Sequence, residues 1–323
     1  MTEKGGFPLK ILGTGSALPE KVVTNDDLTA FLDTNDEWIS TRTGIRERRV
    51  LSHETLQSLA ERAGQAALEN AGVAPEEIDF VLVSTVQAET LSPALACDVQ
   101  PALGLKCMGM DLNGGCTGFI AALSVAEGLL ASGRAHKLLV ISAEALSRFA
   151  DWTDRSTCVL FGDAAGAVVV GEGEGLEDIR FKSEPRRDVL CASTPPGNSP
   201  FAIDPKPAQY LKMQGQEVYK FAVSHSFRDI REMLEAHGLA AEDVDFYVLH
   251  QANMRILEAV RTRLKVDETR FPHNIERTGN TSSATVPVLL DELNRSGKLK
   301  PGCRVILNAF GAGLCTGTAL LTW

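Results

Sequence analysis

Apolar residues recur along this chain with two different periods. Leu56, Leu59, Ala60, Ala63 and Ala67 follow the three-and-four spacing that gathers them on one face of a helix, and Val223, Phe227, Ile230 and Leu234 repeat that spacing. Gly72 and Gly238 come next, where a helix stops most readily on a residue that accepts a left-handed conformation. Each stop leads into a short apolar run, Phe80 to Val83 and Phe246 to Leu249. Such runs suit strands buried on both faces. Helices alternating with buried strands predict an α/β fold with mainly parallel sheets.

The two helix–strand units are copies of one another. Residues 70–83 (Asn-Ala-Gly-Val-Ala-Pro-Glu-Glu-Ile-Asp-Phe-Val-Leu-Val) match residues 236–249 (Ala-His-Gly-Leu-Ala-Ala-Glu-Asp-Val-Asp-Phe-Tyr-Val-Leu) in character throughout, at an offset of 166 positions. Downstream, a helix beginning near Cys116 ends at Ser132-Gly133 and leads into the strand 137–142. Another beginning near Asn280 ends at Ser296-Gly297 and leads into 303–308. These stops lie 164 positions apart, which places Cys116 opposite Asn280. His250 falls opposite Ser84, just past its strand. The chain therefore divides into halves, 1–175 and 176–323, packed about a pseudo-twofold axis. Between them glycines stand at 171, 173 and 175, and six of the fourteen prolines fall from Pro185 to Pro207. That composition predicts a long irregular connection over 176–212, either functional or a passive wrap on the surface.

Strand ends and helix starts are where α/β folds bind ligands, and three candidate residues sit at such places. Cys116 lies in Asp111-Leu-Asn-Gly-Gly-Cys-Thr-Gly-Phe119, ahead of an apolar helical run. Glycines on both sides allow a sharp turn and close approach of a substrate. A helix N-terminus is expected to lower the thiol pKa, and a thiolate attacks an acyl carbonyl while the cysteine N–H helps hold the oxyanion. His250 ends a buried strand in Val248-Leu-His-Gln-Ala-Asn253, before a helix carrying Met254, Ile256 and Leu257. Asn280, in Thr278-Gly-Asn-Thr-Ser-Ser-Ala284, reads on its own as a helix cap. The duplication makes it the partner of Cys116 instead.

Composition narrows the setting. The chain has 323 residues, 44% hydrophobic and 23% charged, ordinary for a globular protein of this length. The start reads as having no signal peptide, and no apolar stretch approaches the ~20 residues that span a bilayer. A cytoplasmic protein without membrane association is expected. Seven cysteines, an odd number with no Cys-x-x-Cys pair, suit reduced thiols better than a disulfide framework or a zinc site. No metal is expected. A net charge of −10 argues against nucleic acid. An acidic partner would need a local basic patch, for which Arg255, Arg261, Arg263 and Lys265 are candidates.

Taken in order, these motifs resemble the β-ketoacyl-acyl carrier protein synthase III family of the thiolase-like fold. The likeness runs nearly end to end. It includes Gly13-Thr-Gly-Ser16, the run from Thr34 to Arg46 around Asp36-Glu-Trp38, the Cys116 turn and Asp154-Arg155 ahead of Phe161-Gly-Asp163. It goes on through His250-Gln-Ala-Asn253, Gly279-Asn-Thr-Ser282 and Phe310-Gly-Ala-Gly313. The resemblance implies layers in the order αβαβα and an acyltransferase that condenses an acyl-coenzyme A primer with malonyl-acyl carrier protein to start fatty acid synthesis. It implies Cys116 as acyl acceptor, with His250 and Asn280 hydrogen-bonding the malonyl thioester oxygen during decarboxylation. The backbone N–H groups of Cys116 and Ala312 would form the oxyanion hole. Trp38 and Arg155 would sandwich the adenine of coenzyme A, while Arg42, Gly215, Asn253 and Phe310 would line its path. Arg255, Arg261 and Arg263 would receive the acidic carrier, and Leu91 would close the primer pocket across a homodimer interface. No cofactor is implied, since the coenzyme A thioesters are substrates. The sequence departs from the family pattern at Ala312, where glycine is usual, at Cys315-Thr316 and at Tyr219. Alternatives are a related acyltransferase of secondary metabolism acting on a hydroxyl or amine, and a non-catalytic binder of acyl carriers.

Overall fold

Residues 8–193 and 210–323 are described by a computed structural model. The first seven residues, read above as lacking a signal peptide, and Pro195 to Pro207 of the connection lie outside the described residues.

Two sheets carry the fold. The first contains β1 (Lys10–Ala17), β2 (Phe80–Ser84), β3 (Met108–Leu112), β4 (Lys137–Ala145) and β5 (Asp163–Gly171), in the order β1-β5-β4-β2-β3. The second contains β6 (Leu176–Ser183), β7 (Phe246–Leu249), β8 (Arg304–Gly311) and β9 (Cys315–Thr322), in the order β6-β9-β8-β7. Laid side by side, β1, β5, β4 and β2 correspond to β6, β9, β8 and β7. Both series pair antiparallel, antiparallel, then parallel. The duplication seen in the sequence is thus a duplication of topology.

The sheets are mixed rather than mainly parallel. A parallel neighbour requires a crossover, and long helices make two of the three: α3 (Gly118–Ala131) before β4 and α6 (Thr285–Arg295) before β8, while two short helices lie between the parallel β2 and β3. The last strand of each half, β5 or β9, follows without a crossover helix of this kind and pairs antiparallel with the strand before it. The expected irregular connection also needs correcting. Residues 176–183 form the edge strand β6, and Leu190–Cys191 pairs with Lys212–Met213. Only one edge of β6 is paired, so its charged and apolar residues mingle, which hides it from a search for buried runs.

The strands alternate their allegiance with period two. Leu82, Leu138, Val140 and Val168 join Val248, Val305, Leu307 and Ala309 of the other sheet in a central core around α3 and α6. Their neighbours Val81, Val83, Leu139 and Ile141 face the outer helix α2 (Leu56–Ala71). Tyr247, Leu249 and Ile306 face α4 (Gly215–Ala236) and α5 (Met254–Leu264) on the opposite side. The result is the layered αβαβα arrangement, with α3 and α6 as its middle layer. A short helix, α1 (Asp36–Thr43), lies outside these layers, and Met254 at the start of α5 meets Gly44 at its end. Buried polar groups tie the halves together. Thr14 Oγ1 donates to Asp291 of α6 at 2.7 Å, and Ser283 Oγ donates to Glu144 of β4 at 2.6 Å. Among the described residues no helix is long and apolar enough to cross a membrane.

Candidate active site

Cys116 stands where β3 turns into α3. Asn113 accepts the Gly115 N–H at 3.1 Å, and Gly115 adopts φ of 53°, a conformation that favours glycine. One 3-10 turn, Gly115–Thr117, carries Cys116, and the α-helix proper begins at Gly118. The loop after β8 presses against this turn: a Cβ on Gly311 would lie 2.9 Å from the Cys116 Cβ. Ser282 Oγ donates to the Cys116 Sγ at 3.5 Å.

The thiol does not behave as the helix start suggests. Burial pushes its pKa up to about 12, and Glu144 and Cys315 nearby push the same way, while the Ser282 hydrogen bond opposes them. A rise of about three pH units is worth about 4 kcal/mol, whereas a helix N-terminus supplies about 0.3–1 kcal/mol and at most about 2. The residue keeps part of its surface open to the cavity, so water entering there relieves some of the cost. Cys116 is still a protonated thiol at neutral pH. Its proton must leave during attack rather than before it.

His250 follows β7 and is fixed on three sides. Its backbone N–H donates to the Asn308 carbonyl at 2.8 Å, its ring meets Phe310 edge-on at 5.2 Å, and its Nδ1 lies 2.7 Å from Thr285 Oγ1. Burial alone lowers its pKa to about 3, so the ring is neutral across the physiological range. Asn280 is held by backbone bonds to the first half, donating to Leu160 O at 2.8 Å and accepting from Gly162 N at 3.0 Å. Its side chain is not a helix cap. Asn280 Oδ1 accepts the Ser282 N–H at 2.9 Å, which leaves the amide NH₂ to face outward. All three residues line one cavity of about 1010 Å³.

Ser282 links them, and nothing in the sequence singles it out. Its N–H orients Asn280, its hydroxyl meets Cys116, and its carbonyl accepts the backbone N–H of Thr285, whose side chain touches His250. It holds φ of 51°, one of two non-glycine residues with positive φ among those described, the other being Lys265. Such strain costs of order 1–3 kcal/mol and persists where the surroundings impose it. Glu144 was missed as well. Its carboxylate accepts from Val86 N and from Ser283, and burial raises its pKa to about 7. The signal was available: an acid near the end of a strand whose core, Leu138 to Ile141, is apolar.

The same cavity is lined by Trp38, Arg42, Gly215, Asn253, Phe310 and Ala312. Ala312 is not among the positive-φ residues, so an alanine is tolerated there, and its N–H lies near the Gly115–Cys116 turn. Asn253 caps α5 by accepting the Arg255 N–H at 2.9 Å, and its amide donates to the Arg42 carbonyl at 3.1 Å. The adenine slot is not open. The Arg155 guanidinium lies 4.9 Å from the centre of the Trp38 ring, with Arg42 at 4.6 Å. A ring inserted between two partners needs roughly twice the ~3.5 Å contact distance. Arg155, also tied to Asp33, must swing aside for the expected sandwich to form. Arg255 lines the cavity beside Tyr219, at 5.9 Å from its ring. Arg261 is engaged by Glu258 at 2.7 Å, whereas Arg263 and Lys265 are exposed. Leu91 lies outside the cavity lining of the single chain and is 87% exposed. Among the described residues, no three His, Cys, Asp or Glu side chains gather as a metal site would require.

Two family profiles match the chain: "3-Oxoacyl-[acyl-carrier-protein (ACP)] synthase III" over residues 110–185, and the C-terminal part of the same synthase over 234–323. The chain is 42% identical over 321 residues to the β-ketoacyl-[acyl-carrier-protein] synthase III of Clostridium acetobutylicum, covering 98% of both. The crystal structure of 3-oxoacyl-[acyl-carrier-protein] synthase III from Aquifex aeolicus superposes with a TM-score of 0.90 at 41% identity, covering 98% of this chain and 100% of that one. A priming β-ketosynthase from a polyketide biosynthetic pathway gives a TM-score of 0.90 at 38% identity, covering 98% and 97%.

Proposed function

The chain belongs to the β-ketoacyl-acyl carrier protein synthase III family, acyltransferases that condense an acyl-coenzyme A primer with malonyl-acyl carrier protein to begin fatty acid synthesis, and from that premise we propose how its residues divide the work. The supporting observation is the convergence of Cys116, His250 and Asn280 on one cavity with Ser282 touching two of them directly.

In the first half-reaction the Cys116 sulfur attacks the acyl thioester and the bond to coenzyme A breaks. The thiol proton ends on the departing coenzyme A, so the half-reaction leaves no net charge behind and only the tetrahedral intermediate carries negative charge. This pathway suits a thiol whose pKa lies far above neutrality. The N–H groups of Cys116 and Ala312 hold the tetrahedral oxyanion. In the second half-reaction malonyl-acyl carrier protein loses carbon dioxide, and the electron pair released becomes an enolate. Two neutral donors, the His250 ring and the Asn280 amide, bind the enolate oxygen. Charge develops there only in the transition state, which is where binding accelerates the reaction. The carbanion attacks acyl-Cys116, the thiolate leaves and takes up a proton, and a β-ketoacyl-carrier product results. A neutral histidine suits this role, because a donor is needed rather than a base.

Trp38, Arg42, Arg155, Gly215, Asn253 and Phe310 form the coenzyme A path in this reading. Arg255, Arg261 and Arg263 form the carrier dock, with Arg261 the weakest member because Glu258 already holds it. Leu91 of one protomer closes the primer pocket of another in a cytoplasmic homodimer, each protomer built of the two duplicated halves, 1–175 and 176–323. The enzyme uses no cofactor.

The test is acylation followed by discharge. Incubation with acetyl-coenzyme A should add one acetyl group, found by mass spectrometry on the peptide carrying Cys116. Malonyl-acyl carrier protein should then remove it as a β-ketoacyl thioester. A label on any other residue, or discharge only to a hydroxyl or amine acceptor, would overturn the assignment.

A further inference from the structure

His250 can serve as a hydrogen-bond donor toward the cavity only if its proton sits on Nε2. In a neutral ring that requires Nδ1 to be bare and to accept a hydrogen bond. Its partner at 2.7 Å is Thr285 Oγ1, a buried hydroxyl with one proton to give. That proton has two possible destinations: His250 Nδ1, or the Ser282 carbonyl at 2.9 Å. The choice decides the tautomer. Given to the carbonyl, it would leave Oγ1 to accept from Nδ1–H and turn a bare Nε2 toward the substrate.

Three observations favour the histidine. The Ser282 carbonyl already accepts the backbone N–H of Thr285, so it stays satisfied without the hydroxyl. The contact to Nδ1 is the shorter of the two. An unprotonated imidazole nitrogen is also a stronger base than an amide carbonyl, and a buried ring nitrogen without a donor would carry a desolvation cost. We propose that Thr285 is a positioning residue whose hydroxyl donates to His250 Nδ1, fixing the Nε2–H tautomer that faces the malonyl thioester oxygen. The hydroxyl never touches substrate; it acts through the ring. Ser282 completes the arrangement, since the carbonyl that would compete for the proton belongs to the residue that also orients Asn280.

The inference rests on the role given to His250 above, and the experiment keeps the two apart. In the full-length enzyme labelled with ¹⁵N-histidine, the signals absent from a His250→Gln sample belong to His250. They should show a protonated Nε2 and a bare, hydrogen-bonded Nδ1. The reverse pattern overturns the proposal whatever the enzyme does in solution. Kinetically, Thr285→Val should slow decarboxylation of malonyl-acyl carrier protein roughly tenfold to a hundredfold, as loss of a partner that orients a functional side chain does. Acylation of Cys116 by acetyl-coenzyme A should stay within about twofold, because His250 is not used there. Thr285→Ser, which keeps the hydroxyl, should restore decarboxylation. A Thr285→Val enzyme that decarboxylates at the wild-type rate, or a Thr285→Ser enzyme as slow as the valine variant, would also overturn it. Failure of the wild type to accept acetyl on Cys116 would count against the condensing reaction and leave the tautomer to the spectrum.

Discussion

Residue by residue, the site is built from groups held in states they would not adopt in water. Cys116 is a thiol pushed to a pKa of about 12, Glu144 a carboxyl raised to about 7, and His250 an imidazole lowered to about 3. Desolvation is the first cause in each case, and at neutral pH it keeps the thiol and the ring uncharged and leaves the carboxyl about half ionised. Two of these shifts pull stability in opposite directions as pH changes. A carboxyl whose folded pKa exceeds its unfolded value binds more protons when folded, so Glu144 costs stability as pH rises from about 4.5 to about 7. A histidine whose folded pKa is depressed binds more protons when unfolded, so His250 costs stability as pH falls from about 6.5 towards 3. Their slopes oppose each other between about 4.5 and 6.5, and only the histidine acts below that. Replacing His250 by glutamine should therefore protect the protein in acid. The unfolding free energy of the variant should gain about 2–3 kcal/mol on the wild type between pH 6 and pH 4, measured by denaturant titration at each pH. Equal losses in both proteins would show that His250 is not a buried neutral ring.

At the scale of elements, the middle layer joins the halves and sets the site. Cys116 lies within the 3-10 turn that leads into α3, and Asn280 stands two residues before the matching turn that leads into α6. The duplicated stops at Ser132-Gly133 and Ser296-Gly297 were enough to align these two starts, so their pairing was legible from the sequence. The hydrogen bonds between the turns were not. Ser282 looks like any polar residue at a helix start until its φ of 51° turns its hydroxyl on Cys116. Edge strand β6 was equally hidden, because pairing along one side imposes no long apolar run. Helix α6 is further anchored by Asp291, buried at 1% exposure, which accepts from Thr14 and Ser16 of β1 and pairs with Arg295 at 2.9 Å. Asp291→Ala strands the buried Thr14 hydroxyl, which then bears a desolvation cost of about 1–3 kcal/mol, and removes the acceptor of the half-buried Ser16 hydroxyl. The variant should lose about 2–4 kcal/mol of unfolding free energy, read from a shifted denaturant midpoint at unchanged slope. A loss below about 0.5 kcal/mol would mean that α6 is held by its apolar face alone.

At the scale of the whole molecule, charge and substrate are in conflict. A net charge of −10 repels an acidic carrier protein at long range, and a repulsive field slows encounter unless a local surface reverses its sign. In the proposed reading helix α5 supplies that surface, and its members are unequal. Arg255 lines the cavity, so on the proposed roles its replacement would disturb coenzyme A and carrier alike. Arg261 spends its charge on Glu258 and the Val266 carbonyl. Arg263 is exposed and enters neither arrangement, which makes it the clean probe of docking. Arg263→Glu should raise KM for malonyl-acyl carrier protein roughly threefold to tenfold, with kcat and the rate of acylation by acetyl-coenzyme A unchanged. The difference from wild type should shrink as salt rises from about 0.05 M to 0.5 M, because the Debye length falls well below the ~10 Å reached at 0.1 M. Arg261→Ala, removing a charge already neutralised, should change KM less than twofold. Equal effects of the two substitutions, or an Arg263→Glu effect that salt leaves untouched, would place carrier recognition on some other face of the molecule.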